Sequence, residues 1–243
     1  MKISNILTCL LCATSLILQV ISLCGNLPGL HSIYFVKVDT LVSNSLIDRI
    51  RHNIFGVPDS LTFATFVICQ MFDSDDTQTA CTNPSLGYRF DSQGLPGILE
   101  DAIPDKFHTA LSVAQGGILI PSVILSFIIT SWCLIRLCTA NDRLVCCLTL
   151  LGVFALAFVI ASLAVQIVGY RSVRNALTQA EQAIPGTSVK LIASLGPAIW
   201  LTVGAAIALI IVIIIFFIEG VLLCRTQAQH QRRQEQEIEM SHV

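Results

Sequence analysis

The chain has 243 residues, of which 54% are hydrophobic and 12% are charged, and its formal net charge is −2. Soluble domains carry about twice this share of charged residues, and a mean hydropathy of +0.76 indicates a membrane protein. The slightly acidic balance provides no basic surface, so we expect no nucleic acid among the partners.

Four apolar segments are long enough to cross the roughly 30 Å hydrocarbon core of a bilayer as helices. We place the first span at residues 1–24, the second at 111–137, the third at 144–168 and the fourth at 191–223. A first loop then covers residues 25–110, a short connection 138–143, a second loop 169–190 and a tail 224–243. The first apolar segment could instead be a cleaved signal peptide, but its apolar run exceeds the ~7–15 residues of such a peptide.

The cysteines suggest how the chain is oriented. Cys69 and Cys81 lie in the polar first loop, whereas five others gather at the opposite membrane face: Cys133, Cys138, Cys146, Cys147 and Cys224. Thiols stay reduced in the cytosol, and a loop pair can oxidise outside it. Short cytosolic loops usually carry more Lys and Arg than external loops, but in this chain basic residues lie near both membrane faces, so this rule hardly distinguishes the two orientations. We therefore expect both termini and the short connection to be cytosolic.

The first loop is long enough to fold into a small sheet. Residues 32–40, 61–72 and 86–91 have the β-branched and aromatic content of strands, and residues 45–55 have helical spacing. A bridge between Cys69 and Cys81 would pin a hairpin and stabilise it by ~3 kcal/mol. A calcium loop at Asp73, Asp75 and Asp76 is the competing interpretation. Gln78 and Pro84 break its pattern, so we expect no metal.

Glu219 is an ionisable residue inside a span, and Arg225 is close enough in sequence to pair with it. Gln19, Gln115 and Gln166 are predicted to form hydrogen bonds between helices. Small residues in spans three and four predict close helix packing: Ala155, Ala157, Ala161, Ala164, Gly196, Gly204, Ala205, Ala206 and Ala208. Because a transport path would need more polar groups at membrane depth, a transporter or channel subunit is the less favoured interpretation.

The second loop continues the third span as an amphipathic helix, with Val173, Leu177, Ala180 and Ile184 on one stripe. This stripe could cap the first-loop sheet or contact a neighbouring molecule, and we favour the first. The tail has no glycine or proline to end the fourth helix, so the helix should continue beyond the membrane. No catalytic motif accompanies the five histidines, so the sequence predicts neither an enzyme nor a cofactor.

The order of these features resembles the fungal Sur-seven/PalI family of claudin-like, four-span plasma-membrane proteins. The resemblance rests on IYFVKVDT after the first span, on Cys69 and Cys81, on LGYRFD after them, and on the spacing of the later spans. It implies an α-helical membrane fold: a four-transmembrane helix bundle with a small, β-rich extracellular first loop. In that family the cysteine pair is an extracellular signature, which implies a disulfide here.

The resemblance also implies a function. It suggests a structural organiser of static cortical domains of the plasma membrane, associated with eisosomes and affecting cell-wall organisation and endocytosis. Membrane lipids, further copies of the chain or cortical scaffold proteins would be its partners. The alternative is an accessory subunit of an ambient-pH receptor, with His31, His52 and His108 as titrating groups.

Lipid modification is a further hypothesis. Cys138, Cys146, Cys147 and Cys224 lie where spans meet the expected cytosolic face, as reversible S-acylation requires. Packed thiols acting as small hydrophobic side chains would explain them equally well.

Overall fold

The computed structural model of the chain describes residues 2–27, 30–42, 59–71, 79–84, 114–139, 145–183 and 189–241. Its helices are α1 (Lys2–Leu23), α2 (Ile120–Thr139), α3 (Val145–Ala183) and α4 (Pro197–Ser241), and one π-helical turn, Gln115–Leu119, precedes α2. Each helix contains a stretch long and apolar enough to cross a membrane, namely Ile3–Leu23, Gly116–Cys138, Cys147–Asn175 and Pro197–Thr226. The predicted four-span architecture is confirmed.

The helices form a ring in which α1 packs against α2 and α4, and α3 packs against the same two helices. Helices α1 and α3, and likewise α2 and α4, therefore face each other across diagonals. Five buried positions in α1 follow alternating steps of four and three residues, namely Thr8, Cys12, Ser15, Gln19 and Ser22, and Cys9 is buried beside them. This is the period of a left-handed coiled coil.

The same alternation runs through the other three helices. It comprises Leu119 of the π-helical turn with Ser122, Ser126, Ile129, Cys133 and Arg136 in α2; Leu148, Gly152, Ala155, Val159, Ser162 and Gln166 in α3; and Ala198, Thr202, Ala205, Leu209, Val212 and Phe216 in α4. Large apolar side chains such as Phe127, Phe154 and Phe217 point outwards. Lipid tails are as apolar as leucine, so small and polar side chains drive the packing of such a bundle instead.

A five-stranded antiparallel sheet lies at one end of the bundle. Its strands are β1 (Val36–Val42), β2 (Ser60–Phe63), β3 (Ile68–Met71), β4 (Thr79–Cys81) and β5 (Val189–Leu195), in the order β4-β3-β2-β1-β5. We call this end of the bundle the sheet side and the opposite end the tail side. The small antiparallel sheet predicted for the first loop is thus present.

One prediction about the first loop needs correction, and two others concern residues that the structure does not describe. The single strand predicted at residues 61–72 is a hairpin, in which Phe63 pairs with Ile68 and the Ala64 amide donates to the Val67 carbonyl. A continuous apolar run does not reveal such a turn, because both strands are buried. The strand predicted at 86–91 and the helix predicted at 45–55 lie outside the described residues.

The predicted start of the fourth span is wrong. Residues 189–195 form β5, which pairs with β1 from Val36↔Leu195 to Val42↔Val189. Helix α4 begins only at Pro197, where proline is favoured because its missing N–H would have no helical partner. The second loop therefore contributes an edge strand to the sheet that the first loop builds.

The sheet packs on the C-terminal part of α3. Val173 and Leu177 are buried against Val36, Val38 and Leu61 of the sheet in one apolar cluster. Ala180 and Ile184 have no described side chains. The interpretation of the amphipathic stripe as a cap on the sheet is confirmed for its first two residues.

Candidate functional site

The polarity of the side chains inside the bundle changes along the bundle axis. The half next to the sheet is lined by hydroxyl and carboxamide side chains, and the middle is an apolar cluster around Ile129, Ala155 and Leu209. An ion pair lies at the tail side. Buried polar groups at membrane depth need internal partners and often mark function. We therefore treat these polar layers as the candidate site.

Gln19 joins α1 to α2. Its Nε2 donates to Ser15 Oγ at 3.1 Å and to Ser126 Oγ at 2.8 Å, and its Oε1 accepts from Ser122 Oγ at 2.9 Å. Every hydrogen-bonding atom of this buried carboxamide thus has a partner. The prediction that Gln19 bonds between helices is confirmed.

Gln166 joins α3 to α4 through Thr202, because its Nε2 donates to Thr202 Oγ1 at 3.1 Å. The Thr202 hydroxyl also lies 3.1 Å from Ser22 Oγ, and Ser22 Oγ donates to the Ala198 carbonyl at 3.2 Å. Three helices therefore meet at Thr202, which confirms the prediction for Gln166. The side chain of Gln115 lies outside the described residues.

The polar half of the bundle continues into the sheet. Thr65, in the hairpin turn, donates from Oγ1 to the Ser22 carbonyl at 3.4 Å. Asn26, at the exit of α1, has a φ of 60°, a left-handed conformation that asparagine tolerates better than most residues. Its Nδ2 donates to the carbonyl and hydroxyl oxygens of Thr62 at 3.0 and 3.1 Å. The sheet is thus hydrogen-bonded to the bundle.

Cys69 and Cys81 form the predicted disulfide. They stand directly opposite each other in the β3–β4 ladder, and Cys69 is fully buried. The His31 ring offers a nitrogen within 4.8 Å of both sulfurs, but sulfurs joined to each other are not the thiolates that a metal ion requires. The acidic turn with Asp73, Asp75 and Asp76 lies outside the described residues.

Glu219 pairs with Arg136 rather than with Arg225, which corrects the expectation from sequence. Arg136 Nη1 lies 2.8 Å from Glu219 Oε2, and Ser4 Oγ donates to Glu219 Oε1 at 2.7 Å. The guanidinium group also lies 5.9 Å from the centre of the Phe216 ring. Arg136 and Glu219 are 83 positions apart in the chain, so sequence proximity to Arg225 was the wrong guide.

Among the described free cysteines, Cys24 is partly buried and the other six form two groups. Cys9, Cys12 and Cys133 are buried in the bundle, with 3.7 Å between the sulfurs of Cys12 and Cys133. Cys138, Cys147 and Cys224 are exposed on the tail side. The side chain of Cys146, the fourth predicted acylation site, is not among those described. The geometry brings the exposed thiols to one membrane face, but S-acylation itself stays a prediction.

Only some of the small residues that were predicted to pack between helices are buried there. Ala155, Ala205, Ala206 and Ala208 are buried, and a Cβ on Gly204 would lie 3.3 Å from Leu18. Ala157 and Ala164 are exposed on the outer surface of α3. Ala155 and Ala205 belong to the repeat of four and three residues, whereas Ala206 and Ala208 are buried beside it.

The family comparison agrees with this architecture. No curated protein matches the chain. A family model described as the SUR7/PalI family matches residues 1–213, which include the first three spans, the first part of the fourth, the five strands of the sheet and both disulfide cysteines. The chain therefore belongs to the SUR7/PalI family.

Proposed function

We propose that this protein is a structural organiser of static domains in the plasma membrane, of the kind associated with eisosomes, and that it influences cell-wall organisation and endocytosis. The observation that carries this proposal is the union of both loops in one sheet. Strand β5 of the second loop pairs with β1 of the first along seven residues, and the disulfide closes the far edge. The two loops thus form a single folded unit, the sheet, at one end of a bundle that is embedded in lipid.

The lipid-facing surface supports a role within the membrane plane. Large apolar side chains are exposed along all four helices, among them Leu10, Phe127, Phe154 and Phe217. Such a surface contacts lipid tails and leaves neighbouring helices free to associate through close packing. Membrane lipids are therefore the first partners that we propose, followed by further copies of the chain or cortical scaffold proteins.

The cysteines support an orientation with the sheet outside and both termini in the cytosol. The disulfide lies on the sheet side, and the exposed thiols of Cys138, Cys147 and Cys224 lie on the tail side. Disulfides persist in oxidising compartments and are rare in the cytosol. Cys24 is a partly buried thiol on the sheet side, so the division is not complete.

A structural role also fits the ionisable groups within the bundle. The charges of Arg136 and Glu219 compensate each other in an ion pair, whereas transport paths usually expose such groups to a cavity. We propose neither an enzymatic reaction nor a cofactor for this protein.

Imaging of the protein with a fluorescent tag on the tail tests the proposal directly. We expect discrete surface patches that keep their positions for minutes and recover slowly after photobleaching. A uniform, rapidly recovering surface signal at native expression would contradict the organiser role.

An accessory role in ambient-pH sensing is the second candidate. One observation favours it: His31 is exposed on the sheet side beside the disulfide, where it would meet the external pH. His52 and His108 lie outside the described residues. Loss of growth specifically at alkaline pH in a His31→Gln strain, with patches unchanged, would favour sensing over organising.

A further inference from the structure

A cavity lies where the four helices meet the sheet. Polar and apolar groups line it in about equal measure. The polar side chains include Gln19, Ser122, Ser162, Gln166 and Thr202 of the helices and Thr65 of the hairpin turn, and the apolar side chains are Leu23, Leu119, Val123 and Val159. Most of these polar groups bond to one another, so whether the cavity needs a hydrogen-bonding occupant depends on the groups whose bonding is incomplete.

Ser162 supplies the strongest indication. It is 5% exposed, and no hydrogen bond of its hydroxyl is described. Its Oγ is not among the fully enclosed atoms without a partner in the described residues, so this oxygen opens onto the cavity. A buried hydroxyl without a partner destabilises a fold because its desolvation is not compensated. Most serines and threonines in membrane helices avoid this by bonding to a backbone carbonyl one turn earlier, as Thr202 does to Ala198 at 3.0 Å.

The hydrogen bonds of Thr202 leave an acceptor position open on Gln166. Its hydroxyl lies 3.0 Å from the Ala198 carbonyl and 3.3 Å from Gln166 Oε1. A hydroxyl carries only one proton, so it cannot donate to both oxygens at once. When Thr202 donates to Ala198, Gln166 Oε1 can accept from another donor in the cavity.

The size and charge of the cavity select among occupants. The cavity has a volume of about 10 Å³ that the centre of a water molecule can occupy. One bound water needs about this volume. Cations are disfavoured because no carboxylate lines the wall, so the charge of a cation would stay uncompensated. Apolar molecules would leave Ser162 unsatisfied.

We propose that this cavity is a binding site for one ordered water molecule, which accepts from Ser162 Oγ and donates to Gln166 Oε1. The water completes the hydrogen bonding of the polar half of the bundle at the point where the sheet is attached. This inference does not depend on the proposed organiser role, because it concerns only the packing of the bundle.

Thermal unfolding of the Ser162→Ala variant in lipid nanodiscs tests whether the cavity is hydrated. The direction in which the unfolding temperature changes distinguishes a hydrated cavity from a dry one. Loss of a water partner should lower the unfolding temperature by about 2–4 °C. Ser194→Ala, which alters an exposed serine of β5, serves as the control. An unchanged or raised unfolding temperature for Ser162→Ala would overturn the proposal, since removing a hydroxyl from a dry cavity costs nothing.

Radiolytic labelling in ¹⁸O-water detects the water without relying on stability. Leu119 borders the cavity and Leu209 lies in the apolar cluster, and both are buried. We expect ¹⁸O incorporation at Leu119 and none at Leu209, and we expect Ser162→Val, which fills the space, to abolish the labelling of Leu119. Equal labelling of the two leucines, or persistent labelling of Leu119 in Ser162→Val, would overturn the proposal.

Discussion

Arg136 of α2 and Glu219 of α4 form an ion pair across a diagonal of the bundle, with 2.8 Å between Nη1 and Oε2. Ser4 of α1 donates to the other carboxylate oxygen. One acidic side chain thereby connects three of the four helices on the tail side. The contact is mainly electrostatic, because Oε2 does not form a well-aligned hydrogen bond.

This pair should show strong non-additivity on mutation. Glu219→Gln or Arg136→Met alone removes one member of this ion pair while the charge of the other member remains, and should destabilise the bundle by about 3 kcal/mol. The double change Arg136→Met with Glu219→Leu removes both charges and should come close to wild-type stability. Thermal unfolding in nanodiscs measures all three variants.

Arg225→Gln is the matched control for the ion pair, because Arg225 is exposed and should change stability by less than about 0.5 kcal/mol. Single variants at Arg136 and Glu219 that cost no more than this control would show that the pair is not structurally important.

Gly196, between β5 and α4, should not tolerate a side chain. A Cβ at this position would overlap the carbonyl oxygen and ring of Tyr34, and the Gly196 amide donates to the Phe35 carbonyl. Gly196→Ala should therefore destabilise the protein by at least about 1–3 kcal/mol and reduce its export. Gly117→Ala is the control, because a Cβ there meets nothing within 4 Å. Equal surface levels of the two variants would contradict the structure.

How far the sequence predicted the fold depends on which interactions specify each element. Span number and the α3 extension follow from local composition and periodicity, and both were predicted. Residues 191–195 were assigned to the fourth span because hydropathy does not distinguish an apolar strand from the start of an apolar helix. Only the pairing of β5 with β1 makes this segment a strand.

The candidate site was predicted less completely. Gln19 and Gln166 were identified because carboxamides are rare in spans. The serines that bond to them are common in spans, so no single serine indicated a hydrogen bond between helices. The spacing of Thr8, Cys12, Ser15, Gln19 and Ser22 could have revealed the buried face of α1. Arg136 was missed as the partner of Glu219 because tertiary packing, not sequence distance, brings α2 to α4.

The exposed thiols on the tail side should be S-acylated if that side is cytosolic, as we propose. Changing Cys138, Cys146, Cys147 and Cys224 to serine should abolish acyl-exchange labelling, since thiols at helix ends near the membrane face are accessible to acyl transfer. Cys12→Ser is the control, because Cys12 is buried and its loss should leave the labelling unchanged. Labelling that survives the fourfold change would show that these cysteines are not the modified residues.

The final prediction concerns which part of the protein holds it in surface patches. The sheet carries the disulfide and is bonded to the bundle through Asn26 and Thr65, whereas the tail is a polar continuation of α4. Removing the bridge with Cys69→Ser and Cys81→Ser should destabilise the sheet by about 2–5 kcal/mol, comparable with the stability of a small domain. Patches should then disperse, while deletion of residues 227–243 should leave them intact.

The two variants must be compared at matched surface levels, because defective export alone would also reduce patches. A Cys24→Ser variant controls for the loss of a sheet-side thiol that forms no disulfide, and its patches should persist. Dispersal on tail deletion, together with intact patches in the double cysteine variant, would assign localisation to cytosolic contacts. The sheet would then have to serve folding and export, because its bridge would be dispensable once the protein has reached the surface.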